Sequence, residues 1–118
     1  MTTIDTRTVG ADLPSCANPV TLTDAEWSFL DTLPDPMFVV EWVLSCQLQR
    51  GHAGPHLANG QDSGTDEWWL RWDDAGRETV CLPPCPATGP EPGSADERPC
   101  LLPDTHDGRH SYQLRPAS

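Results

Sequence analysis

The strongest strand pattern in the chain lies at residues 37–44 (MFVVEWVL), which are rich in β-branched and aromatic side chains. This composition predicts a β-strand, in which side chains alternate between two faces. The side chains that would share one face are Phe38, Val40, Trp42 and Leu44. The strand would end just before Cys46 and would hold that thiol in a rigid position.

A second hydrophobic pattern predicts a β-hairpin. Residues 67–72 (EWWLRW) and 77–82 (RETVCL) are separated by Asp-Asp-Ala-Gly, which is a turn sequence. In the first strand three large side chains would share the core face: Trp68, Leu70 and Trp72. Most tryptophans of so short a chain are expected in the core. Trp69 would lie on the opposite face, and we predict that it belongs to a partner-binding surface.

A short helix is predicted from Thr23 to about Leu33, and we expect it to cover the sheet. Thr23-Asp-Ala-Glu26 is a capping-box sequence, in which the threonine hydroxyl and the glutamate carboxylate each accept a backbone N–H. Pro34 and Pro36 follow directly. Because proline disfavours helix continuation, they should end the helix.

The remaining segments are rich in polar residues, proline or glycine. Residues 1–20 predict an extended arm, and residues 59–66 a polar loop. Residues 83–99 predict a long Pro/Gly-rich loop. A short closing strand is predicted at residues 111–114.

These elements predict a single α+β domain over residues 1–118, loop-rich, with one short helix over a small antiparallel sheet. The arm (1–20) would precede the helix, sheet and first Cys/His cluster (21–82). The loop (83–99) would lead to the second cluster (100–118). With 36% hydrophobic residues and 13 prolines the core would be small. Domains of this kind commonly need a metal or a disulfide for stability.

One short pattern, C-x-L-x3-H-x-G-x-H, occurs twice. The first copy runs from Cys46 to His56 and the second from Cys100 to His110. All four histidines of the chain lie in these copies. Because thiolate and imidazole are preferred zinc ligands, we interpret the duplicated unit as two zinc knuckles. The glycine that both copies share predicts a tight turn with positive φ.

Zinc takes four ligands, and each copy provides three. Chain order assigns Cys16 to the first site and either Cys81 or Cys85 to the second. We prefer Cys85, because its loop is nearer the second cluster, and keep Cys81 as the alternative. The first predicted site consists of Cys16, Cys46, His52 and His56. The second consists of Cys85, Cys100, His106 and His110. Disulfides between Cys16 and Cys46, or between Cys81 and Cys100, are the competing interpretation.

The formal net charge is −11, and all seven basic residues are arginines. Since phosphate binding depends on Lys and Arg, this acidity argues against a nucleic-acid partner and suits a basic protein partner. No apolar run approaches the ~20 residues of a membrane span, and the N-terminus lacks the pattern of a signal peptide. We therefore expect a cytoplasmic protein, whose thiols stay reduced.

Sequence signatures of catalysis are absent: no H-E-x-x-H, no G-x-S-x-G, no phosphate loop and no dinucleotide fingerprint. We therefore expect a non-enzymatic zinc-binding adaptor or regulator that acts through protein–protein contact. One alternative is an acidic inhibitor, an immunity or anti-defence protein that mimics nucleic acid. Another is a zinc-dependent hydrolase with an open Cys-His-His site, in which Glu41 or Asp107 would act as general base.

Residues 46–56, followed by 67–72, resemble a pattern found in small, mostly uncharacterised actinobacterial proteins. That pattern has a Cys, then a Leu-Pro pair, then Gly-His-x-Gly-x-His. Here the first copy has Leu48-Gln49, and the second has Leu102-Pro103 but Thr105 before the histidine. The resemblance implies zinc and a bacterial cytoplasmic setting.

Overall fold

The computed structural model describes residues 13–89, 93, 95 and 97–115. Its helices are α1 (Asp24–Asp31) and a 3-10 helix (Ser111–Gln113). Its strands are β1 (Leu13–Pro14), β2 (Pro19–Thr21), β3 (Val43–Ser45), β4 (His56–Ser63), β5 (Asp66–Asp73), β6 (Gly76–Cys81), β7 (Thr88–Gly89), β8 (Arg98–Pro99) and β9 (Leu114–Arg115). None of the helices within these ranges is long and apolar enough to cross a membrane.

The largest sheet is an antiparallel meander of β4, β5 and β6. Strands β5 and β6 form the predicted hairpin. Its turn is closed by Asp73, whose Oδ1 accepts the backbone N–H groups of Ala75 at 2.8 Å and Gly76 at 3.2 Å. The predicted fold class, one helix over a small antiparallel sheet in a loop-rich chain, is confirmed.

The prediction of a polar loop at residues 59–66 is wrong, because most of this segment lies in β4. Its polar side chains are bound by their neighbours. The Asn59 amide donates to Asp62 Oδ1 at 3.0 Å. The Gln61 side chain is buried, donates to the Phe38 carbonyl at 2.7 Å and accepts the Phe38 N–H at 3.2 Å. Because its amide side chains are hydrogen-bonded within the fold, this strand can have the polar composition that is usual for a loop.

The strand predicted at residues 37–44 is largely wrong as well. Only Val43–Ser45 is a strand, and it pairs with β2. The Gln61 amide occupies both backbone groups of Phe38, so these groups are not available to a strand ladder. The predicted common face is not formed, since two of its members are buried (Val40 and Leu44) and two are exposed (Phe38 and Trp42).

Helix α1 begins at the predicted capping box. Thr23 Oγ1 accepts the Glu26 N–H at 3.1 Å, and Glu26 Oε1 accepts the Thr23 N–H at 2.9 Å. The helix packs on β4, where a Cβ at Gly60 would lie 2.7 Å from Leu30 Cδ1. Glycine therefore permits this close approach. Arg77 of β6 binds the Glu26 carboxylate at 2.6 Å and fastens the helix to the sheet.

Both faces of β5 are covered. Trp69 is 1% exposed and its neighbour Leu70 is 0% exposed, and adjacent residues of a strand point to opposite faces. The prediction that Trp69 belongs to a partner-binding surface is therefore wrong. The buried core also includes Val20, Leu22, Leu30, Leu48, Leu57 and Leu102.

The predicted arm at residues 1–20 is paired with the rest of the fold where it is described. Strand β1 pairs with β9 in parallel, and β2 pairs with β3. Residues 1–12 lie outside the described ranges. At the other end, the closing strand predicted at residues 111–114 is a 3-10 helix that leads into β9.

The loop predicted at residues 83–99 contains a two-stranded antiparallel ribbon of β7 and β8. Residues 90–92, 94 and 96 of this loop lie outside the described ranges. The ribbon brings the chain back to Cys100, the first residue of the second copy of the motif.

Candidate metal centres

The first group of donors, site I, consists of Cys16, Cys46, His52 and His56. One ligand atom from each of these residues lies within 4.8 Å of the other three. The Cys16 Sγ is 3.5 Å from His56 Nδ1, and the Cys46 Sγ is 3.5 Å from His52 Nε2. Four soft or borderline donors at these distances can hold a metal ion.

The second group, site II, consists of Cys85, Cys100, His106 and His110, and its donor atoms also lie within 4.8 Å of one another. The Cys85 Sγ is 3.6 Å from His110 Nδ1, and the Cys100 Sγ is 3.5 Å from His106 Nε2. The structure therefore brings together both predicted sets of residues. The same atom types face each other in the two sites.

The fifth thiol, Cys81, lies outside both groups. It is exposed at the end of β6, where its backbone is paired with Trp68. Cys85, the preferred ligand of the sequence analysis, is the thiol that joins site II. The five cysteines are all free thiols, so the disulfides of the competing interpretation are not formed.

In site I, two short backbone segments are hydrogen-bonded to each other so that both thiols face the same space. The Cys16 N–H donates to the Leu48 carbonyl at 2.7 Å, and the Cys46 N–H donates to the Asn18 carbonyl at 2.9 Å. In a further hydrogen bond, the Arg50 N–H donates to the carbonyl of Pro14, two residues before Cys16, at 3.0 Å. We call this unit, residues 13–21 with 43–56, knuckle I.

Site II has the same framework. The Cys85 N–H donates to the Leu102 carbonyl, and the Cys100 N–H donates to the Ala87 carbonyl, each at 2.9 Å. The Asp104 N–H donates to the carbonyl of Pro83, two residues before Cys85, at 2.8 Å. All three bonds connect positions equivalent to those in knuckle I. We call this unit, residues 82–89 with 98–110, knuckle II.

The repeated unit is thus larger than the motif recognised in the sequence. The cysteine that lies outside the motif in each knuckle ends the sequence Leu-Pro-x-Cys, at Leu13–Cys16 and at Leu82–Cys85. The segment before Cys81 has no such sequence. This short repeat escaped the sequence analysis, and it would have distinguished Cys85 from Cys81.

The first histidine of each copy presents Nε2 to the site. His52 Nδ1 lies 2.9 Å from the carbonyl oxygen of Ala53, and His106 Nδ1 lies 3.3 Å from that of Asp107. A carbonyl can only accept, so Nδ1 carries the proton and donates it. The lone pair of Nε2 is then available to a metal ion.

The second histidine of each copy presents Nδ1 and packs on an aromatic ring. The centroids of His56 and Trp72 are 5.2 Å apart, and those of His110 and Tyr112 are 5.3 Å apart. A Cβ at Gly89 would lie 2.3 Å from the Tyr112 ring, so this glycine makes room for that ring. The rings fix the orientation of the imidazoles.

The glycine between the two histidines adopts the predicted positive φ, 75° at Gly54 and 84° at Gly108. This turn is also where the knuckles meet. A Cβ at Gly108 would lie 2.9 Å from Gln49 Cβ of knuckle I. A Cβ at Gly54 would lie 3.1 Å from Asp107 Oδ2 of knuckle II. The loops of the two knuckles are therefore packed against each other at these turns.

Burial raises the pKa of the Cys46 thiol to about 11, although the N–H groups of Leu48 and Leu57 act in the opposite direction. Burial also raises the pKa of Cys85. Burial and the nearby His106 lower the pKa of His110, which favours the neutral imidazole. Neutral imidazole is the form that binds a metal. A raised pKa keeps a thiol protonated at neutral pH, and binding of a cation would release that proton to solvent.

Comparisons of the chain with protein-family models, with curated proteins and with solved structures found no match. The resemblance to small actinobacterial proteins therefore stays a prediction. What the chain does must be inferred from its own sites and surfaces.

Proposed function

We propose that the protein binds two zinc ions, one in each knuckle, and that it acts as an adaptor or regulator by contacting another protein. The repeated donor set carries the zinc assignment. Each site offers two thiols, one Nε2 and one Nδ1 within 4.8 Å of one another. Mixed sulfur and nitrogen donors in groups of four suit tetrahedral zinc, whereas calcium and magnesium prefer oxygen.

The ions are structural under this proposal. A zinc ion with four protein ligands has no position for an activated water, which a hydrolase needs. An open Cys-His-His site would require that the thiol of Cys16 or Cys85 does not bind the metal. In the structure, each of these thiols lies within 4.8 Å of the other three donor atoms of its site. The two complete donor sets therefore favour a structural role over zinc-dependent hydrolysis.

Metal binding would supply stability that the fold otherwise lacks. Apart from the β4–β5–β6 sheet, the described strands form two-stranded pairs of two or three residues each. Such pairs are marginal in water. Two bound ions would hold both knuckles in place and so present a fixed, acidic surface. A net charge of −11 suits a basic protein partner.

The metal content of protein purified without added metal, measured by native mass spectrometry, tests the zinc assignment. We expect two zinc ions per chain and unfolding on chelation. Cys46→Ser and Cys100→Ser should each lower the content to one, while Cys81→Ser should leave it at two. Protein that carries no metal, or whose thiols are oxidised in pairs, would overturn the assignment.

Cobalt substitution of the native chain tests the ligand set even if the serine variants do not fold. Co²⁺ in a tetrahedral site with thiolate ligands gives intense visible bands and thiolate-to-metal absorption. Titration of the native chain should end at two equivalents. A spectrum typical of octahedral cobalt would contradict a closed site of two thiols and two imidazoles.

A further inference from the structure

The exposed apolar side chains concentrate in one short segment. Among the described residues seven large hydrophobic side chains are exposed, and five of them lie at residues 37–43: Met37, Phe38, Val39, Trp42 and Val43. Val39 is 83% exposed and Met37 is 65% exposed. We call residues 37–43 the apolar segment. Such a cluster is typical of a protein-binding surface.

The apolar segment is fixed at both ends. At one end the Met37 N–H donates to the Asp62 carbonyl at 3.0 Å. At the other end the Trp42 carbonyl accepts the Leu22 N–H at 2.8 Å. The Trp42 ring is also stacked on Trp27, with centroids 5.0 Å apart. A segment anchored in this way loses little conformational entropy when a partner binds.

The middle of the segment has unused hydrogen-bonding groups. Within the part of the chain that the structure describes, no backbone N–H or C=O of Val39, Val40 or Glu41 is paired. Val40 is buried, while Val39 and Glu41 on either side of it are exposed and open to a partner. This stretch also has the strongest strand composition of the chain. It is suited to pair with an added strand.

The charge of the neighbouring sequence indicates which kind of segment it would accept. Residues 13–49 contain five carboxylates and no lysine or arginine. Among the described residues, Glu26 is the one of the five that has an ion pair, with Arg77 at 2.6 Å. The other four are Asp24, Asp31, Asp35 and Glu41. A second copy of this chain would bring the same unpaired carboxylates together, whereas a basic segment would neutralise them.

We propose that the apolar segment is the docking site for an extended segment of a partner protein, one that carries apolar and basic residues on the same face. The partner backbone pairs with residues 39–41. Its apolar side chains pack on Met37, Val39 and Val43, and its basic side chains lie near Glu41 and Asp35. This inference rests on the proposed adaptor role and supplies the surface for it.

The probe is a synthetic peptide in which every second residue is threonine and the residues between are valine and lysine, so that both types share one face. It is titrated into the zinc-loaded full-length chain by calorimetry. We expect binding that weakens as salt is raised, because the contact is partly ionic. The same peptide with glutamate in place of lysine should not bind. A peptide N-methylated at alternate residues, which cannot complete the backbone pairing, should bind at least about tenfold more weakly.

Val39→Asp locates the site on the protein. Its side chain is largely exposed, so the change should leave the fold and both zinc ions in place. We expect it to weaken binding of the lysine peptide by about tenfold or more. Ala75→Asp is the control, since Ala75 is exposed in the turn between β5 and β6 and lies outside the segment and both knuckles. It should bind as the native chain does.

Equal affinity of the two variants, or equal affinity for the lysine and glutamate peptides, would overturn the proposal. So would self-association of the native chain that Val39→Asp abolishes, because the occupant would then be a second copy. Zinc content measured on the same samples keeps this result separate from the zinc assignment. If the chain carries two zinc ions but does not bind the peptide, the docking site is rejected and the zinc assignment stands.

Discussion

The Gln49 side chain of knuckle I accepts the backbone N–H of Arg109 in knuckle II, with Oε1 and N 3.0 Å apart. Gln49 lies three residues after Cys46, and Arg109 lies directly before His110. Each partner thus belongs to a loop that carries candidate metal ligands. The bond joins the two loops at the turn that Gly108 makes.

Replacing Gly108 tests this junction. Gly108→Ala should lower the free energy of unfolding by about 1–3 kcal/mol for its left-handed backbone. The clash should lower the free energy of unfolding further, because the new Cβ would lie 2.9 Å from Gln49 Cβ. Gly64→Ala is the matched control, since Gly64 has φ 59° and no atom within 4 Å of the added Cβ. Thermal unfolding of the zinc-loaded variants measures the difference. Equal losses would mean that Gln49 moves aside without cost and that the loops are not coupled through it.

Site II should lose its metal ion before site I. Three of its ligands, Cys85, His106 and His110, line an open hollow of about 370 Å³. In site I, His56 begins β4 and is paired across the sheet with Trp72. Native mass spectrometry during chelation should therefore show a one-zinc intermediate.

Thiol alkylation of that intermediate identifies the empty site. Cys85 and Cys100 should react before Cys16 and Cys46, while the exposed Cys81 reacts from the start and serves as the internal reference. Earlier alkylation of Cys16 and Cys46 would contradict the expected order. The physical reason for the order is that the sheet must open to release His56, whereas His110 is followed by a single 3-10 turn.

Glu26 should make the stability depend on pH. Burial raises the pKa of its carboxyl, but the hydrogen bonds from Arg77 and from the Thr23 N–H, with the Arg77 charge, lower it overall below 4.5. A lowered folded-state pKa means that the stabilisation is present above pH 4.5 and is lost as the pH falls through the folded-state value. Glu26→Gln keeps the helix cap and removes the charge. It should lower the free energy of unfolding by about 0.5–1 kcal/mol at neutral pH.

Urea denaturation of the native chain and of Glu26→Gln at several pH values measures this effect. The difference between the two proteins should be constant from about pH 7 to pH 5.5 and should shrink as the pH falls below 4.5 through the folded-state pKa of Glu26. Glu78→Gln is the control, because Glu78 forms a more exposed ion pair with Arg71 and should contribute less than about 0.5 kcal/mol. A difference that grows on acidification would contradict the assignment.

Local chemistry made several features predictable. The spacing of Cys46, His52 and His56 recurs in the second copy, and both copies fold into the same loop around a glycine with positive φ. The capping box before α1 and the turn of the β5–β6 hairpin depend on hydrogen bonds between residues two or three apart. Interactions of such short range are encoded in the neighbouring residues, and sequence patterns reveal them.

Features that depend on distant partners were not predictable in the same way. Asn59 and Gln61 suggest a loop by composition, but their amides are bound within a strand and to the Phe38 backbone. The same Gln61 side chain prevents residues 37–42 from completing the strand that their composition favours. The distance along the chain between Gln61 and Phe38 is what hides this relation from pattern analysis.

The sequence by itself determined which side chains can bind metal, because ligand chemistry depends on residue type and the knuckle loops on local spacing. The Leu-Pro-x-Cys repeat also marks Cys85 as the thiol of site II. The tertiary structure decided which hydrophobic side chains are exposed. Trp69 is buried because both faces of β5 are covered, and Val39 is exposed because nothing among the described residues packs over it. Burial depends on what lies opposite each face, and in this fold those neighbours come from remote parts of the chain.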